Sequence, residues 1–332
     1  MVVLADISSI AILRAVKQTG VLSPVSSRDA KRIADAIAQG VHVEDVDTEL
    51  MRALGFSSNC PLHILVSDTR ARRNSTHFVC HVWQGEAQGI SFLKTPKGFV
   101  LAGPELTLAM YARQHSLVEV IELAMEFCGG YRLGITRLPD DPHPPILTTL
   151  RKLQEFVSRN RNERGVGKLE YALNFIGENS WSPMETKIYM LLTLPRTKGG
   201  FGFPKPLLNF RIDVPRQLRE FQGRTHFYCD MYWPEYGFAI EYDGKYKNEK
   251  GEDEGHFSQE GAIRDKQKAA SLSALGISVM ALSSADMRTY RAMELTLRKI
   301  AMKLKRKQRK PNAKMLEARQ KLYADLFPQN FY

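Results

Sequence analysis

The stretch CDMYWPEYGFAIEYDG at positions 229–244 constrains the fold more than any other part of the chain. Aromatic and β-branched residues flank the turn signal PEYG, which predicts two antiparallel strands joined by a tight hairpin. In a symmetric hairpin the residues that flank the turn face each other, and Asp230 then faces Glu241. Facing side chains have Cβ atoms about 5 Å apart, and like charges in that relation destabilise a sheet. The pattern therefore predicts a cation that compensates the two acids.

The elements around this hairpin indicate an α/β domain with a mixed sheet flanked by helices. A capped helix, SWSPMETKIYMLLTL, precedes the β-type run GGFGFPKPLLNFRIDV and the two hairpin strands. The helix GAIRDKQKAASLSALG and the strand ISVMAL follow. Strands that alternate with helices in this way are typical of an α/β sandwich.

The preceding residues predict an N-terminal α+β region. We expect a helical segment over 1–60, which includes the helices SSRDAKRIADAIAQG and VDTELMRALG. A small α+β module over 61–137 contains short strands and one long helix from Pro104 to Phe127. The proline-rich run LPDDPHPP marks the next boundary. The predicted divisions are 1–60, 61–137, linker helices over 138–180, the α/β domain over 181–300, and a basic C-terminal helix or tail over 301–332.

The net charge of +11 is concentrated near the C-terminus. Residues 298–321 contain eleven Lys or Arg and one acid, Glu317. Such a segment suits contacts with nucleic acid phosphates, and the alternative is a solvated helix that maintains solubility. The candidate phosphate-binding residues are Arg264, Lys268, Lys303, Lys305, Arg306, Lys307, Arg309 and Lys310.

Several classes of protein are disfavoured by the sequence. The apolar stretches are interrupted by charges before they reach membrane-spanning length, and the first residues lack a secretory leader. The four cysteines are far apart and show no C-x-x-C spacing, so we expect them to be reduced and buried. These features predict a cytoplasmic protein without a membrane partner.

Three acidic positions and their order suggest a metal site. Glu185 lies in the first turns of a predicted helix, Asp230 in one hairpin strand, and Glu241 with Asp243 in the next. Hard cations such as Mg²⁺ are bound by one or two carboxylates together with waters and substrate phosphates. A bound divalent ion would convert the predicted repulsion into attraction, and such ions activate water for phosphodiester hydrolysis.

The motifs SPMETKIYMLL, CDMYWPEYGFAIEYDGKY and IRDKQKAASLSALGISVMALSSADM resemble the core of the PD-(D/E)xK nuclease superfamily. They are most similar to its branch of very-short-patch mismatch repair endonucleases, over roughly residues 182–288. The resemblance implies a restriction-endonuclease-like sheet, magnesium as the cofactor with Mn²⁺ as an alternative, and DNA as the partner. It also implies Asp230 and Glu241 as metal ligands, with Glu185 completing or orienting the metal shell.

This chain departs from that family at the position where a lysine is usual, which is occupied by Asp243. Lys245 or Lys247 in the following loop, or Arg264 and Lys268 one turn apart on the next helix, are the candidates to supply the cation. The candidate catalytic residues are Glu185, Asp230, Glu241, Asp243, Lys245 and Lys268. An inactive fold in which Lys or Arg from 264–268 neutralises the acids is the alternative.

The region before residue 182 resembles, more loosely, the abortive-infection antitoxins of type IV toxin–antitoxin systems. This resemblance implies a defence or mobile-element context and an N-terminal region that contacts a protein partner or positions DNA. The predicted function is a metal-dependent DNA endonuclease. The alternatives are a noncatalytic DNA-binding regulator of the antitoxin kind and a protein-interaction component of a defence module.

Three histidines belong to the strand-rich segment. His77 and His81 share a predicted strand face with Val79, and His63 is in the preceding strand. We interpret them as ordinary strand histidines, with metal binding as the alternative.

Overall fold

The chain folds into two compact units, Met1–Glu178 and Asn179–Tyr332. The structure is a computed structural model. It describes residues 2–15, 22–39, 61–73, 76–84, 92–95, 100–134, 143–217, 219, 225–243, 246–247, 253–254, 259–307 and 310–328. The predicted helix VDTELMRALG and the residues Cys60, Lys245 and Arg309 lie outside this set. The predicted boundaries at 60 and 137 fall within the first unit.

The first unit contains a mixed six-stranded sheet in the order β2-β5-β6-β1-β3-β4. Its central strand β1 pairs in parallel with β6 and antiparallel with β3, so the N-terminal residues are part of the sheet rather than a separate helical region. The strands are β1 (Val3–Leu4), β2 (Ser23–Pro24), β3 (Leu62–Val66), β4 (Phe78–Val82), β5 (Phe92–Lys94) and β6 (Val100–Ala102).

Six helices are described in the first unit, and one prediction about them is wrong. The long helix expected from Pro104 to Phe127 is divided in two, because Ser116 forms a capping box with Glu119 and starts a new helix. The predicted helix that ends at Gln39 is confirmed. The helices are α1 (Asp6–Ala15), α2 (Ser27–Gln39), α3 (Pro104–Tyr111), α4 (Leu117–Phe127), α5 (Leu150–Arg159) and α6 (Val166–Leu173).

The second unit is built on a mixed four-stranded sheet in the order β12-β9-β8-β7. The predicted strands are confirmed as β7 (Leu207–Asp213), β8 (His226–Trp233), β9 (Phe238–Asp243) and β12 (Ser278–Ser283). Two short strands, β10 (Tyr246–Lys247) and β11 (Asp253–Glu254), pair separately. The helix α7 (Pro183–Thr193) precedes the sheet, and α8 (Gln259–Ala274) connects β9 to its parallel neighbour β12.

The hairpin between β8 and β9 has the predicted tight turn. A 3₁₀ turn over Pro234–Tyr236 ends at Gly237, whose φ of 51° is left-handed and suits glycine. The flanking residues Trp233 and Phe238 are registered partners, and their rings stack 5.6 Å apart. The indole of Trp233 is fully buried and donates a hydrogen bond to the Pro204 carbonyl, so the hairpin is anchored to the chain before β7.

The core of this unit lies between the sheet and α8. Leu272 on α8 packs with Phe227, Cys229 and Ala239 on the sheet and with Ile277 at the start of the next strand. Full burial of an aliphatic or aromatic side chain contributes about 1.5–3 kcal/mol to the free energy of folding. The burial of Leu272 therefore fixes which face of α8 packs against β8 and β9.

The basic C-terminal segment is not one helix. Helix α10 (Tyr290–Lys303) follows the short helix α9 (Ser284–Met287) and ends before Lys305, and α11 (Ala313–Leu326) starts after Asn312. Lys305 has a positive φ of 50°, and Asn312 caps the new helix by accepting a hydrogen bond from the Met315 N–H. The connection between the two helices therefore contains Lys305, Arg306, Lys307 and Lys310.

No helix among the described residues has both the length and the apolar character needed to cross a membrane. Cys80, Cys128 and Cys229 are free and buried, as predicted.

Candidate carboxylate site

Glu185 is held rigidly at the start of α7. Ser182 caps this helix by accepting a hydrogen bond from the Glu185 N–H, and Pro183 occupies the first turn. The Glu185 side chain is buried, and its Oε2 accepts a hydrogen bond of 2.9 Å from the Trp181 N–H. The N-terminal end of a helix favours a negative charge, which reduces the cost of ionising a buried carboxylate at this position.

Asn209 in β7 is a second support for Glu185 that the sequence analysis missed. Its amide donates to Glu185 Oε2 at 2.6 Å and to the Asn179 carbonyl at 2.8 Å. The residue is buried and has a left-handed φ of 45°, which asparagine tolerates better than most residues. An asparagine within the apolar strand PLLNFRIDV was the available signal, because asparagine is depleted in strands.

Asp230 lies where the β8–β9 ladder ends. The registered pairs run from Trp233–Phe238 to Met231–Ile240, and the predicted facing pair of Asp230 with Glu241 is not among them. Asp230 Oδ2 instead accepts a hydrogen bond of 2.7 Å from the Tyr242 N–H. The Asp230 side chain thus satisfies a backbone N–H of β9 beyond the last registered pair, and the same register continued by one residue places Asp230 opposite Glu241.

Glu241 is compensated by a lysine from α8. Lys268 Nζ lies 2.6 Å from Glu241 Oε2, and both side chains are about one-fifth exposed. The other oxygen, Glu241 Oε1, is buried and has no hydrogen-bond partner. Lys268 was one of the residues predicted to supply a cation in place of the strand lysine, and the structure brings it to Glu241.

The three carboxyl groups influence one another through Asp230. Burial and then the charge of Asp230 raise the pKa of Glu185 to about 8 and that of Glu241 to about 7, although Lys268 opposes the rise at Glu241. Burial also raises the pKa of Asp230, against the Tyr242 N–H and the charge of Lys268, which lower it. Desolvated acids with raised pKa values are typical of functional sites.

The three acids do not form a single three-ligand group. In the part of the chain that the structure describes, the only three His, Cys, Asp or Glu residues with ligand atoms within 4.8 Å of one another are Asp6, His63 and His81. A site that uses Glu185, Asp230 and Glu241 on one ion at once is therefore not formed. Asp230 with one of its two acidic neighbours matches the one or two carboxylates that Mg²⁺ requires.

A cavity of about 530 Å³ opens beside Asp230 and Lys268. Its wall is aromatic: the rings of Trp181 and Tyr228 are 4.9 Å apart, and His226 contacts Tyr228 edge-on at 5.2 Å. Tyr228 is exposed, so its ring face is accessible to a planar ligand. The sequence analysis did not identify His226 and Tyr228, which only the alternate positions of the strand HFYCDMYW indicated. The remaining lining residues are Thr225 and Phe227.

The other predicted catalytic residues are placed differently. Asp243 is the last residue of β9 and is exposed, unlike Asp230 and Glu241. Lys245 is outside the described residues, and so is the side chain of Arg264 within α8.

The predicted phosphate-binding residues near the C-terminus lie apart from the acids. Lys303 Nζ is 3.1 Å from Ser278 Oγ, at the start of β12. Ser278 pairs with Phe238, whereas Ala281 pairs with Glu241, so the two positions are separated by about 10 Å along the strand. Exposed cations continue beyond Lys303; they are Lys305, Arg306, Lys307 and Lys310.

One basic residue in this segment has a structural role. Arg319 is buried, pairs with Glu294 at 3.2 Å and lies over the Phe201 ring at 4.0 Å. It packs α11 onto the rest of the unit, and it is not available for a phosphate.

The raised pKa values predict that the metal-free protein loses stability as the pH rises. Unfolded glutamate has a pKa of about 4.3, so between about pH 5 and pH 8 the folded chain binds more protons than the unfolded chain. Protonation of Glu185 and Glu241 contributes its full stabilisation below that pH range. The contribution decreases as the pH rises and is lost once the pH exceeds their folded-state pKa values of about 8 and about 7. Urea unfolding should show a decrease of roughly 1–3 kcal/mol across this range.

The Glu185→Gln variant is the control for this pH effect, because its amide cannot ionise. It should flatten the dependence on pH. A free energy of unfolding that rises with pH in the native chain would contradict the raised pKa values.

Comparisons with known proteins do not assign a function to these residues. No family model matches the chain, and neither the curated proteins nor the solved structures contain a match.

Proposed function

We propose that the unit Asn179–Tyr332 is a metal-dependent DNA endonuclease. The observation that carries the proposal is the cluster of desolvated acids, Asp230 with Glu185 and Glu241, beside a lysine and an open cavity. The order of elements supports it: a helix with the first acid, three antiparallel strands, and a helix leading to a strand parallel to β9. This order agrees with the resemblance to the PD-(D/E)xK nucleases.

The residues present fit a divalent cation of the magnesium type. Glu241 Oε1 is a buried carboxylate oxygen without a partner, and burial disfavours ionisation of all three acids. Desolvated negative charges of this kind need a compensating cation. Asp230 and Glu241 are the ligands we propose, and Glu185 orients them from the helix. The bound ion would supply positive charge at the scissile phosphate and acidify the attacking water.

The residues of the chain then have distinct tasks in hydrolysis. In this reaction a water oxygen bonds to phosphorus, and the bond from phosphorus to one sugar oxygen breaks, with a proton passing to that oxygen. Glu241 holds Lys268 in position. The ammonium group of Lys268 can then contact a phosphate oxygen as negative charge accumulates there. Trp181 and Tyr228 offer ring faces on which an unpaired base beside the cleavage point can stack.

The test is an incubation of the full-length protein with supercoiled plasmid and with linear DNA in the presence of Mg²⁺, Mn²⁺ or a chelator. We expect cleavage with either ion and none with the chelator. Cleavage that is equal in the chelator would overturn the metal dependence, and intact DNA under all conditions would overturn the enzymatic function.

The exposed cations between α10 and α11 are expected to contribute to affinity rather than to chemistry. Replacing Lys305, Arg306 and Lys307 together by alanine should reduce the slope of log affinity against log salt by about 2–3, because each phosphate contact contributes about 0.9. The cleavage rate of saturated enzyme should change little. Fluorescence anisotropy at several salt concentrations measures the slope, and single-turnover cleavage measures the rate.

A matched triple variant controls for the loss of three positive charges. Arg151, Lys152 and Arg159 are exposed on α5 of the first unit, and their replacement by alanine removes the same charge. An equal change in slope for both triple variants would indicate a general charge effect and refute the local contact.

The ion pair between Lys268 and Glu241 also favours a second candidate, a noncatalytic DNA-binding regulator. A lysine at 2.6 Å compensates this carboxylate without any metal, as expected of a nuclease fold that has lost activity. Salt-sensitive DNA binding that does not change with Mg²⁺, together with intact DNA in the cleavage assay, would favour the regulator.

A further inference from the structure

A second polar cluster lies in the first unit and is independent of the proposed nuclease centre. Asp6 is the first residue of α1, directly after β1, and His63 and His81 lie on the neighbouring strands β3 and β4. His81 Nε2 and His63 Nδ1 are 2.8 Å apart, and Asp6 Oδ2 is 3.5 Å from each of them. Two histidines interpreted from the sequence as ordinary strand residues thus converge on a carboxylate far away in the chain.

The carboxylate of Asp6 is poorly compensated by the protein itself. The residue is buried, its Oδ1 has no hydrogen-bond partner, and Oδ2 is farther from both imidazoles than an ordinary N–H···O hydrogen bond allows. The 2.8 Å contact between the two imidazoles is made by the same ring nitrogens that lie nearest to Asp6, so Asp6 lacks a close donor from either ring. A buried anion in that situation needs a cation.

The backbone holds the three side chains in place. The Ala5 N–H donates to the His63 carbonyl at 2.8 Å, and the His63 N–H donates to Ser8 Oγ at 2.9 Å. Hydrogen bonds to the His63 backbone therefore hold the chain on both sides of Asp6, at Ala5 and at Ser8. Asp6 itself has a left-handed φ of 44°. The parallel pairing of β3 with β4 registers His63 with Val79 and His81 with Leu65, so the two histidines are diagonal neighbours on one face of the sheet.

We propose that Asp6, His63 and His81 bind one divalent transition-metal ion. The imidazole ligands select zinc or ferrous iron over magnesium, and two histidines with one carboxylate are a known ligand set for both. The three ligand atoms lie 2.8–3.5 Å from one another, close enough to bind the same ion, and three protein ligands would leave room in its coordination shell for water.

The protonation state and the surroundings are compatible with this ligand set. Burial lowers the pKa of His81 to about 4, with the charges of His63, Arg113 and Arg72 acting in the same direction and Asp6 opposing them. Arg113 is itself paired with Glu163 at 3.6 Å, and the half-buried His63 provides access from solvent.

The experiment titrates the full-length, chelator-stripped protein with Co²⁺ at neutral pH and follows the visible absorption, with Zn²⁺ as competitor. We expect one Co²⁺ per chain to give the intense bands of low coordination number, without a thiolate charge-transfer band. Asp6→Asn and His63→Gln should each weaken binding by at least about 100-fold. His115→Gln is the matched control, since His115 also pairs with one carboxylate, Glu119, at 3.1 Å but has no third ligand.

The same titration with Asp230→Asn separates this site from the proposed nuclease centre. The Co²⁺ spectrum should be unchanged in that variant, whatever the outcome of the cleavage assay. A native chain that gives no cobalt bands and no rise in melting temperature with Zn²⁺ would overturn the proposal without any variant. Binding that survives His63→Gln, or that disappears in Asp230→Asn, would overturn it as well.

Discussion

Replacing Asp230 by asparagine is expected to lower Mg²⁺-dependent DNA cleavage by at least about 100-fold, because the amide cannot serve as a charged metal ligand. The asparagine carbonyl can still accept the hydrogen bond from the Tyr242 N–H, so the connection between β8 and β9 is preserved. Asp230 also acts on the pKa of both Glu185 and Glu241, and its neutralisation removes that repulsion. Plasmid nicking and single-turnover kinetics measure the loss.

The same substitution should stabilise the metal-free protein. Burial raises the pKa of Asp230, which means that its ionised form opposes folding, and removing this charge should add about 0.5–2 kcal/mol to the free energy of unfolding. A gain in stability combined with a loss of activity is expected of a functional residue and not of a structural one. Urea unfolding without and with Mg²⁺ tests this, and Mg²⁺ should stabilise the native chain more than the variant.

Asp213→Asn is the matched control for Asp230. Asp213 is the exposed last residue of β7 and pairs on the surface with Arg211, so its neutralisation should alter neither cleavage nor stability appreciably. Asp230 would lose its proposed role as a ligand if Asp230→Asn cleaved DNA at the native rate in Mg²⁺.

Replacing Lys268 by methionine should have the second large effect. The chain loses the cation proposed to contact the phosphate, and cleavage should decrease by at least about 100-fold. Glu241 loses its partner at 2.6 Å, and since both side chains are about one-fifth exposed, we expect a loss of about 1–3 kcal/mol in stability without metal. Added Mg²⁺ should recover part of this stability, because a second cation then reaches Glu241.

A double-mutant cycle with Glu241→Gln separates the two roles of Lys268. The double variant should recover much of the stability, since Glu241 no longer leaves an unpaired charge, but none of the activity. Lys266→Met is the control on the same helix, because Lys266 is exposed. If Lys268→Met cleaved DNA normally, the lysine would have only a structural role, and another cation would have to serve the phosphate.

Much of the second unit could be predicted because its signals are local. The turn residues around Gly237, the cap at Ser182 and the alternation within β8 and β9 each act over a few residues. The break between α3 and α4 was also local, but the apolar periodicity on both sides concealed the capping box at Ser116. The spacing of apolar residues indicates only which face of a helix is buried. It therefore continues across a break between two helices when both helices bury the same face.

Other features depended on contacts between distant residues. Asn209 stabilises Glu185 only because a left-handed backbone turns its amide toward the helix, and no local pattern encodes that direction. The hydrogen bond from the Tyr242 N–H to Asp230 lies beyond the last registered pair of the hairpin, and a register counted from the turn does not reveal such a side-chain contact. Asp6 reaches His63 and His81 because β1 inserts into the sheet between β6 and β3.

Lys303 contacts Ser278 at the start of β12, three residues before Ala281, which pairs with Glu241. This separation of about 10 Å corresponds to about three nucleotides along one DNA strand, at 3.4 Å each. Under the proposed function, the sheet would hold the phosphate contact of Lys303 and the acids at a fixed distance from each other. DNA bound in this way would have a single orientation, and the break would fall at a constant offset from the phosphates that Lys303 contacts.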